Sequence, residues 1–336
     1  MLLSILIPVR DDAENLRVCL RSLSEQDLSG CEVLVCDDGS KVPVDPRNVV
    51  PPGLNVSILR QPGQGPSAAR NALARRAAGQ YLFFLDADTV PCHETVAVVK
   101  KIIAKNPGIE AFFGSYDDAP EYPGLISTYR NLLHHYTHQQ SAGGTVHAFW
   151  CGCGVILRDV YLENGGLSVF YHRPSIEDTE LGMRLANKGV KVWVFSELQV
   201  KHRKRWTVVK WLQTDLMCRG IPWVRLMRSN NQWQNQLNFT PSQRIAVASG
   251  VCAVGLLAVS PFGPILVVPG AAALGLFVAL NYRFFDLIRK KRGVLAAAAT
   301  VPCHLVYALI CVLSVVFGIL SPALNLPPNE KLHPAR

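Results

Sequence analysis

Two apolar segments of this chain each end in a pair of aspartates, and this feature limits the possible folds more than any other. The segments are Val33-Leu-Val-Cys-Asp37-Asp38 and Tyr81-Leu-Phe-Phe-Leu-Asp86-Ala-Asp88. Each apolar run has the length and composition of a buried strand in a parallel sheet. The carboxyl ends of such strands border the ligand crevice of an open α/β sheet. A lone aspartate pair is usually a turn or a helix cap, but two pairs at strand ends favour a nucleotide diphosphate with a divalent metal.

The segments around these two runs alternate between strand and helix patterns. The sequence predicts strands at Ser4–Val9, Glu32–Cys36, Asn55–Leu59 and Tyr81–Leu85, and helices near Glu14–Ser24 and Ser67–Ala78. This alternation is typical of an α/β fold with a mostly parallel sheet. The apolar residues that follow Met1 have no basic start and no small-residue cleavage site, so we interpret them as the first strand and not as a signal peptide.

Composition divides the 336 residues into two unlike parts. Up to about Arg244 the chain has the composition of a soluble globular protein, whereas residues 245–320 are dominated by Ala, Val, Leu, Gly and Ile. The 10 cysteines are scattered, which favours a reducing compartment over a disulfide framework. Cys151 and Cys153 form a CxC pair, which buried small side chains explain better than a zinc site.

Several short motifs resemble those of the family 2 glycosyltransferases of the GT-A fold. They are Ile7-Pro-Val-Arg-Asp11, Cys36-Asp-Asp-Gly-Ser40, Gly65-Pro-Ser-Ala-Ala-Arg-Asn71, Leu85-Asp-Ala-Asp88, Ile176-Glu-Asp178 and Lys204-Arg-Trp206. Their order and approximate spacing are those of the family, over about the first 230 residues. Two positions differ, since Arg10 stands where many members have Asn, and the segment ending at Trp206 lacks the leading Gln of the QxxRW motif of processive synthases. The resemblance implies a glycosyltransferase of the hexosyltransferase class, and the missing Gln argues against processive polymerisation.

The resemblance implies a donor site at the carboxyl ends of the first strands. Its predicted residues are Pro8, Val9, Arg10, Asp11, Asp37, Asp38, Arg70, Asp86, Ala87 and Asp88. Asp37 and Asp38 would accept hydrogen bonds from the base and ribose. Arg70 would approach the nucleotide phosphates with its planar fork of donors. The competing interpretation of Arg70 is a solvated helix arginine.

The resemblance also implies a metal site. Asp86 and Asp88 form the DxD pair, which in this family bridges a divalent cation to the donor diphosphate. Mn²⁺ and Mg²⁺ suit carboxylate, water and phosphate oxygens, so either is the expected cofactor. His202 matches a position at which some relatives supply a further ligand, although a surface histidine in a basic run explains it equally well.

Glu177 and Asp178 are the predicted catalytic residues. They open a helix that is expected to end near Gly189, and acidic residues stabilise the start of a helix without any further role. In the family, the second acid of this motif deprotonates the acceptor hydroxyl, so Asp178 is the candidate general base. A lipid phosphate acceptor is already anionic, and Asp178 would then position the acceptor or maintain structure.

Residues 201–244 are predicted to form a basic amphipathic segment at a membrane interface. The part from 201 to 228 contains eight Lys or Arg residues against one acid, which is +7 of the net charge of +9. Interleaved tryptophan and leucine suit a membrane interface. A nucleic-acid surface would also be basic, but the apolar segment that follows favours lipid headgroups, and no nucleic-acid partner is expected. The resemblance implies that Arg205 contacts the diphosphate or the acceptor and that Trp206 stacks at the acceptor entrance.

Residues 245–320 are predicted to form about three transmembrane helices, at about 245–260, 264–282 and 294–320, followed by a tail at 321–336. A span needs about 20 residues, so the first stretch is marginal and an intramembrane hairpin is the alternative. The basic link Arg283–Gly293 belongs on the cytoplasmic side by the positive-inside rule. The scarcity of charge disfavours a soluble helical domain.

Together these features predict an integral protein of the plasma (inner) membrane with a cytoplasmic GT-A domain at residues 1–200. It would be an inverting, metal-dependent transferase that moves a sugar from a nucleotide sugar to a membrane lipid. Polyprenyl phosphate and glycolipid or lipid alcohols fit equally as acceptors. The alternatives are a processive polysaccharide synthase and a non-catalytic membrane protein that binds a nucleotide or a lipid.

Overall fold

The computed structural model describes residues 1–231, 233 and 240–324. The chain divides into two compact units. The sheet unit consists of Met1–Glu121 and His138–Lys204, and the helical unit consists of Tyr122–Thr137 and the described residues from Arg205 onward. The division differs from the predicted domain at 1–200 because residues 122–137 group with the C-terminal helices. Part of the predicted interfacial segment (residues 232 and 234–239) and most of the predicted tail lie outside the described residues.

A mixed sheet forms the centre of the sheet unit. Its strands are β1 (Leu3–Val9), β2 (Cys31–Asp38), β3 (Val56–Gln61), β4 (Tyr81–Leu85), β5 (Thr89–Pro91), β6 (Ala111–Tyr116), β7 (Thr145–Val146), β8 (Cys153–Leu157) and β9 (Val192–His202). The order is β3-β2-β1-β4-β8-β6-β9-β5, with β7 paired to β9. The run β3-β2-β1-β4 is parallel, as is β6 with β9, while β8, β5 and β7 pair antiparallel with their neighbours. The predicted α/β fold is confirmed.

The strand sequences follow from burial on both faces. Every residue of β4 is buried, and β1 is buried except at Pro8, so both are rich in apolar residues, without alternation between apolar and polar positions. The helices up to residue 187 are α1 (Ala13–Ser24), α2 (Pro46–Val49), α3 (Pro66–Arg76), α4 (Thr95–Lys105), α5 (Leu125–Gln140), α6 (Arg158–Glu163) and α7 (Glu177–Asn187). The strands and helices predicted up to Leu85 all occur, with ends that differ by at most two residues.

Helix α7 packs directly against backbone in the sheet unit. A methyl group at Gly182, in the middle of α7, would overlap the backbone of Ala148 and Phe149. Only glycine allows an approach this close. The packing fixes the position of the acidic start of α7, where Glu177 and Asp178 lie.

We expect Gly182→Ala to lower the free energy of unfolding by about 1–3 kcal/mol, because the added methyl must displace backbone in a close-packed interior. Gly144→Ala is the matched control, since the nearest atom to its added methyl is 3.5 Å away. Chemical denaturation of the detergent-purified protein, followed by tryptophan fluorescence, measures both. Equal stability of the two variants would contradict the packing argument.

The helical unit contains the first part of α5 and the helices that follow residue 204. They are α8 (Val208–Gln213), α9 (Ile221–Ser229), α10 (Pro241–Val259), α11 (Val267–Leu280), α12 (Tyr282–Arg292) and α13 (Val294–Leu320), with a π-helical segment at Thr214–Gly220 between α8 and α9. Short 3₁₀ turns, Ser260–Phe262 and Pro264–Leu266, connect α10 to α11. The core of this unit includes Tyr129, Leu132, Leu133, Trp206, Trp211, Phe277, Phe284, Phe285, Ile288, Cys303, Ala308 and Ile310.

Two helices of the described residues, Pro241–Phe262 and Val294–Leu320, are long and apolar enough to cross a membrane. A third span exists if Pro264–Leu280 and Tyr282–Arg292, which are bent by 69° relative to each other, count as one. The segment 283–292, predicted as a link, is therefore a helix of its own. Its apolar residues recur at helical spacing and are buried in the unit.

Candidate active site

The two acidic pairs lie at the same edge of the sheet. β2 and β4 flank β1 as parallel neighbours, so their carboxyl ends point the same way. Val9 at the end of β1 pairs in register with Asp37 of β2. Asp86 and Asp88 follow β4. The sheet topology thus brings the motifs that the sequence singled out to one crevice edge.

The carboxylate of Asp37 is buried and holds the turn that follows β2. Its Oδ1 accepts a hydrogen bond from the Ser40 amide at 2.8 Å, and its Oδ2 accepts one from the Val44 amide at 3.1 Å. Burial raises the pKa of Asp37, but the hydrogen bonds from Ser40 and Val44 and the charge of Arg60 outweigh it, so the pKa lies below its ordinary value. Asp37 is therefore a fixed negative charge at this edge.

Asp38 organises the loop that leads into α3. Its Oδ1 accepts hydrogen bonds from the Gln61 side chain at 2.7 Å and the Gln64 amide at 2.9 Å, and its Oδ2 accepts one from the Gly65 amide at 2.8 Å. Gly65 has φ +98°, and a methyl there would lie 2.7 Å from the carbonyl oxygen of His172. The protein itself engages both oxygens of Asp38, and its contact with a base or ribose stays a prediction.

The residues after β1 close the same edge. The Asp11 amide donates to Ser40 Oγ at 2.9 Å, and Asp11 Oδ1 accepts from the Lys41 amide at 2.7 Å. A methyl group at Gly63 would lie 3.0 Å from the Arg10 guanidinium, so this side chain lies over the loop that Asp38 holds. Pro8 and Val9 are the last two residues of β1. All four predicted residues at 8–11 thus border the candidate donor site.

Arg70 of α3 connects two of the acidic motifs. Its Nη2 lies 2.5 Å from Asp86 Oδ1, and its Nη1 lies 3.7 Å from Glu177 Oε1. The arginine is 6% exposed, so the interpretation as a solvated helix residue is wrong. Burial lowers the pKa of Arg70, but the charges of Asp86 and Glu177 outweigh it and the pKa rises. Among the described residues, no acceptor lies within hydrogen-bond distance of its buried Nε and Nη1.

Asp88 and His202 face each other across the end of the sheet. His202 Nε2 lies 3.5 Å from Asp88 Oδ2, because β5 pairs with β9 in a register that sets Thr89 opposite His202. The ring of Tyr116 stacks on the His202 ring at 4.1 Å between centroids. His202 is buried, so it is not a surface histidine. Burial raises the pKa of Asp88, but the charges of His202 and Lys204 outweigh it and the pKa falls.

Glu177 and Asp178 occupy the first turn of α7, as predicted. Glu177 is buried, and its Oε2 accepts a hydrogen bond from the Ser175 amide at 2.8 Å. Burial raises the pKa of Glu177 despite the nearby charge of Arg70. Asp178 is only partly buried, and its Oδ1 accepts from the Thr179 amide at 2.7 Å. Asp178 is the more accessible of the two acids, as a base that meets a substrate must be.

Two supporting residues received no role from the sequence. Asn71 accepts hydrogen bonds from Tyr161 Oη at 2.6 Å and from the Leu167 amide at 3.0 Å, and its side-chain amide donates to the Leu167 carbonyl at 2.8 Å. The sequence signal for Asn71 is its place directly after Arg70, at the end of the motif Gly65–Asn71. Tyr116, which stacks on His202, had no sequence signal because the pairing of β6 with β9 joins segments far apart in the chain.

Arg205 and Trp206 belong to the helical unit. Arg205 is exposed. Trp206 is 7% exposed, its amide donates to Ser127 Oγ at 2.9 Å, and the Arg130 guanidinium lies 5.4 Å from its ring centroid. The Trp206 ring is thus packed in the core of its unit, and its predicted stacking role, like the ligand contact of Arg205, stays a prediction.

The DxD motif carries donor atoms of the kind that divalent cations bind. No group of three or more His, Cys, Asp or Glu side chains among the described residues could hold a metal by itself. The site offers the carboxylates of Asp86 and Asp88, whose side chains are 31% and 25% exposed, and the imidazole of His202. Carboxylate oxygen suits Mn²⁺ and Mg²⁺, and imidazole suits several transition metals. Such a cation would complete its coordination with ligand or water oxygens.

Comparison of the sequence with known proteins identifies related chains. Residues 4–165 match the family model described as glycosyl transferase family 2. The pre-mycofactocin glycosyltransferase of Mycobacterium tuberculosis is 30% identical over 233 residues, which cover 62% of this chain and 44% of that one. An uncharacterized glycosyltransferase of Haemophilus influenzae is 30% identical over 198 residues, which cover 55% of this chain and 62% of that one. The match spans less than two thirds of the length of either relative.

Two solved structures share the fold. A mannosyltransferase of Pyrobaculum calidifontis, solved with GDP-Man and Mn²⁺, is 16% identical with a TM-score of 0.53, over 94% of this chain and 86% of that one. TarS 1-349 of S. aureus, solved with UDP-GlcNAc, is 18% identical with a TM-score of 0.51, over 94% of this chain and 89% of that one. The GT-A-like fold implied by the motifs is confirmed.

Proposed function

This chain belongs to the family 2 glycosyltransferases, and we propose that it transfers one sugar from a nucleotide diphosphate sugar to a membrane lipid. The observation that carries the proposal is the pairing of Arg70 with Asp86 and Glu177. This buried cation joins the DxD motif to the acid pair, so the residues proposed for donor binding and for catalysis form one connected cluster.

The proposed reaction is a single displacement at the anomeric carbon. The acceptor oxygen forms its bond to that carbon as the bond to the diphosphate oxygen breaks, and the nucleotide diphosphate leaves with the bonding electrons. Because attack comes from the side opposite the leaving group, the configuration inverts. A hydroxyl acceptor gives its proton to Asp178. Glu177 anchors the start of α7 through Arg70 and the Ser175 amide, and so holds Asp178 in position.

Asp86, Asp88 and His202 are the residues proposed to hold the divalent metal, Mn²⁺ or Mg²⁺. When bound, such a cation supplies positive charge to the leaving diphosphate. The Pyrobaculum mannosyltransferase was solved with Mn²⁺, which supports the proposal for this fold. Within the protein, Arg70 fixes one carboxylate oxygen of Asp86 and adds positive charge beside it. His202, whose ring stacks on Tyr116, has its Nε2 3.5 Å from Asp88 Oδ2.

The apolar helices support a lipid acceptor. Helices that are long and apolar enough to cross a membrane would bring the chain to the place where lipid-linked acceptors are concentrated. Polyprenyl phosphate and lipid alcohols, glycolipids included, are the two acceptor classes that we propose. The basic residues of the segment 201–228 and of α12 support a location in the inner membrane with these residues on the cytoplasmic side.

The test is transfer of label from radioactive nucleotide sugars into an organic extract. The full chain is reconstituted in bilayers of bacterial lipid with Mn²⁺ or Mg²⁺, and each of a panel that includes GDP-mannose and UDP-N-acetylglucosamine is supplied in turn. We expect one donor to label a lipid with a single sugar. Polymeric product would instead identify a processive synthase.

The test variant and its matched control each replace one aspartate by asparagine. Asp88→Asn should abolish the label, and Asp159→Asn should retain it, because Asp159 is 85% exposed and lies on α6 away from the motifs. Binding of a donor without turnover by the wild type would indicate a non-catalytic protein. Hydrolysis of a donor without organic label would exclude the lipid acceptor and keep the transferase.

A further inference from the structure

Helix α12 has two unlike faces. Phe284, Phe285 and Ile288 are at most 7% exposed and contribute to the core of the helical unit. The basic residues of α12, by contrast, are all exposed: Arg283, Arg289, Lys290, Lys291 and Arg292. The three buried apolar residues thus pack inside the unit, and the basic residues lie on its surface.

The charge of this face is concentrated on one short helix. Asp286 is the sole acid of α12, and it pairs with Arg289 at 2.7 Å and Lys290 at 2.8 Å. Five basic residues against one acid leave a net charge of +4 on eleven residues. A surface of this kind is complementary to a dense array of anionic groups.

The position of α12 in the chain indicates where that surface lies. Before it comes the apolar stretch Pro264–Leu280, from which α12 is bent by 69°, and after it comes the apolar helix Val294–Leu320. Gly293, with φ +87°, makes the turn between α12 and that helix. A charged helix that joins two membrane segments at a steep angle runs along the membrane surface, at the level of the headgroups.

Buried polar contacts fix the bend. Asn281, between α11 and α12, donates to the Phe277 carbonyl at 2.9 Å, and its Oδ1 lies 3.0 Å from His304 Nε2. His304 Nδ1 lies 2.9 Å from the hydroxyl of Tyr129. The rings of Phe284 and His304 are 5.2 Å apart. Because α5, α11 and α13 all contribute, α12 holds a fixed orientation and presents its basic face as a preformed surface.

We propose that α12 is a binding surface for the headgroups of anionic phospholipids. Its partner is the bilayer leaflet in which α11 ends and α13 begins. Phosphatidylglycerol represents the anionic headgroups that this surface would bind. The surface recruits a belt of anionic lipid around the helical unit. This binding concerns the membrane partner of the chain, and it holds whichever sugar is transferred.

The test measures the lipid that surrounds the full chain in nanodiscs of mixed phosphatidylcholine and phosphatidylglycerol. Mass spectrometry of the extracted lipid compares filled with empty discs. We expect phosphatidylglycerol to be enriched at least about twofold around the wild type, since each basic residue near an anionic surface contributes several-fold in affinity. The enrichment should fall as salt is raised, because exposed charges are screened.

The variant R283Q/K291Q/R292Q keeps both ion pairs of Asp286 and should lose the enrichment. The matched control K41Q/K101Q/K105Q removes three exposed basic residues from the sheet unit and should retain it. R283K/R292K keeps the charge and should also retain it, which separates loss of charge from loss of folding. Equal enrichment in both triple variants would overturn the proposal. Binding of a DNA duplex to the wild type in phosphatidylcholine discs, with no binding to R283Q/K291Q/R292Q, would also overturn it, because the surface would then bind nucleic acid.

Discussion

Asp88→Asn should lower kcat/KM for sugar transfer by about 10²–10³, the usual cost of removing one preorganised electrostatic group from an active site. The change keeps the shape of the side chain but removes the negative charge that faces His202 at 3.5 Å. The proposed metal site depends on that charge, and the positive charges of His202 and Lys204, which lower the pKa of Asp88 despite its burial, keep the carboxylate ionised. The measurement is initial rate against donor concentration at several Mn²⁺ concentrations.

The metal titration separates a chemical effect from a folding defect. If Asp88 binds the metal, the variant requires more Mn²⁺ for half-maximal rate, and excess Mn²⁺ restores part of the activity. A folded wild type that keeps its full rate in EDTA would contradict the metal proposal without contradicting glycosyl transfer. Asp159→Asn, on an exposed acid, should leave the metal requirement unchanged.

The sequence predicts the strands and the acidic motifs well because each is a local signal. β1 and β4 are apolar without alternation since both faces are buried, and that pattern is visible in the residues themselves. Asp37 lies at the end of β2 and Asp86 directly follows β4, so finding the strands also finds these two acids. The start of α7 at Glu177 is likewise a local signal of acidic residues before a helical pattern.

What the sequence does not predict depends on contacts between distant segments. The competing interpretation of Arg70 as solvated fails because the α3 arginine turns inward to meet Asp86 and Glu177, 16 and 107 positions away. The burial of His202 under Tyr116 depends on the pairing of β6 with β9. Local pattern carries no information about either neighbour.

The same limit explains the placement of residues 122–137. Tyr129 and Arg130 lie next to each other on α5, and each meets a polar partner in the C-terminal helices: His304 at 2.9 Å and Asp215 at 2.7 Å. Trp211 also donates to Asp215 at 2.8 Å. These buried pairs tie the segment into the helical unit, whereas linear position alone suggested the domain at 1–200. The C-terminal helices are therefore part of the structure that folds around α5.

Asp178→Asn should lower kcat by about 10²–10⁴ when the acceptor presents a hydroxyl, because the amide cannot take the proton that the acceptor loses. Asp178 is the partly exposed acid of its pair, whereas Glu177 is buried against Arg70. KM for the donor should change little, since the donor-binding residues are untouched. Loss of one charge from the first turn of α7 costs only about 0.3–1 kcal/mol of stability, so the protein stays folded.

A phosphate acceptor gives the contrasting result and identifies the acceptor class. A polyprenyl phosphate is already ionised at neutral pH and has no proton to lose, so Asp178→Asn should reduce its rate less than about 10-fold, far short of the loss expected when a general base is removed. Measuring the variant with both acceptor classes therefore separates a base from a positioning residue. An equal, large loss with both would assign Asp178 to acceptor positioning. An unchanged rate with a hydroxyl acceptor would show that a group other than Asp178 acts as the general base.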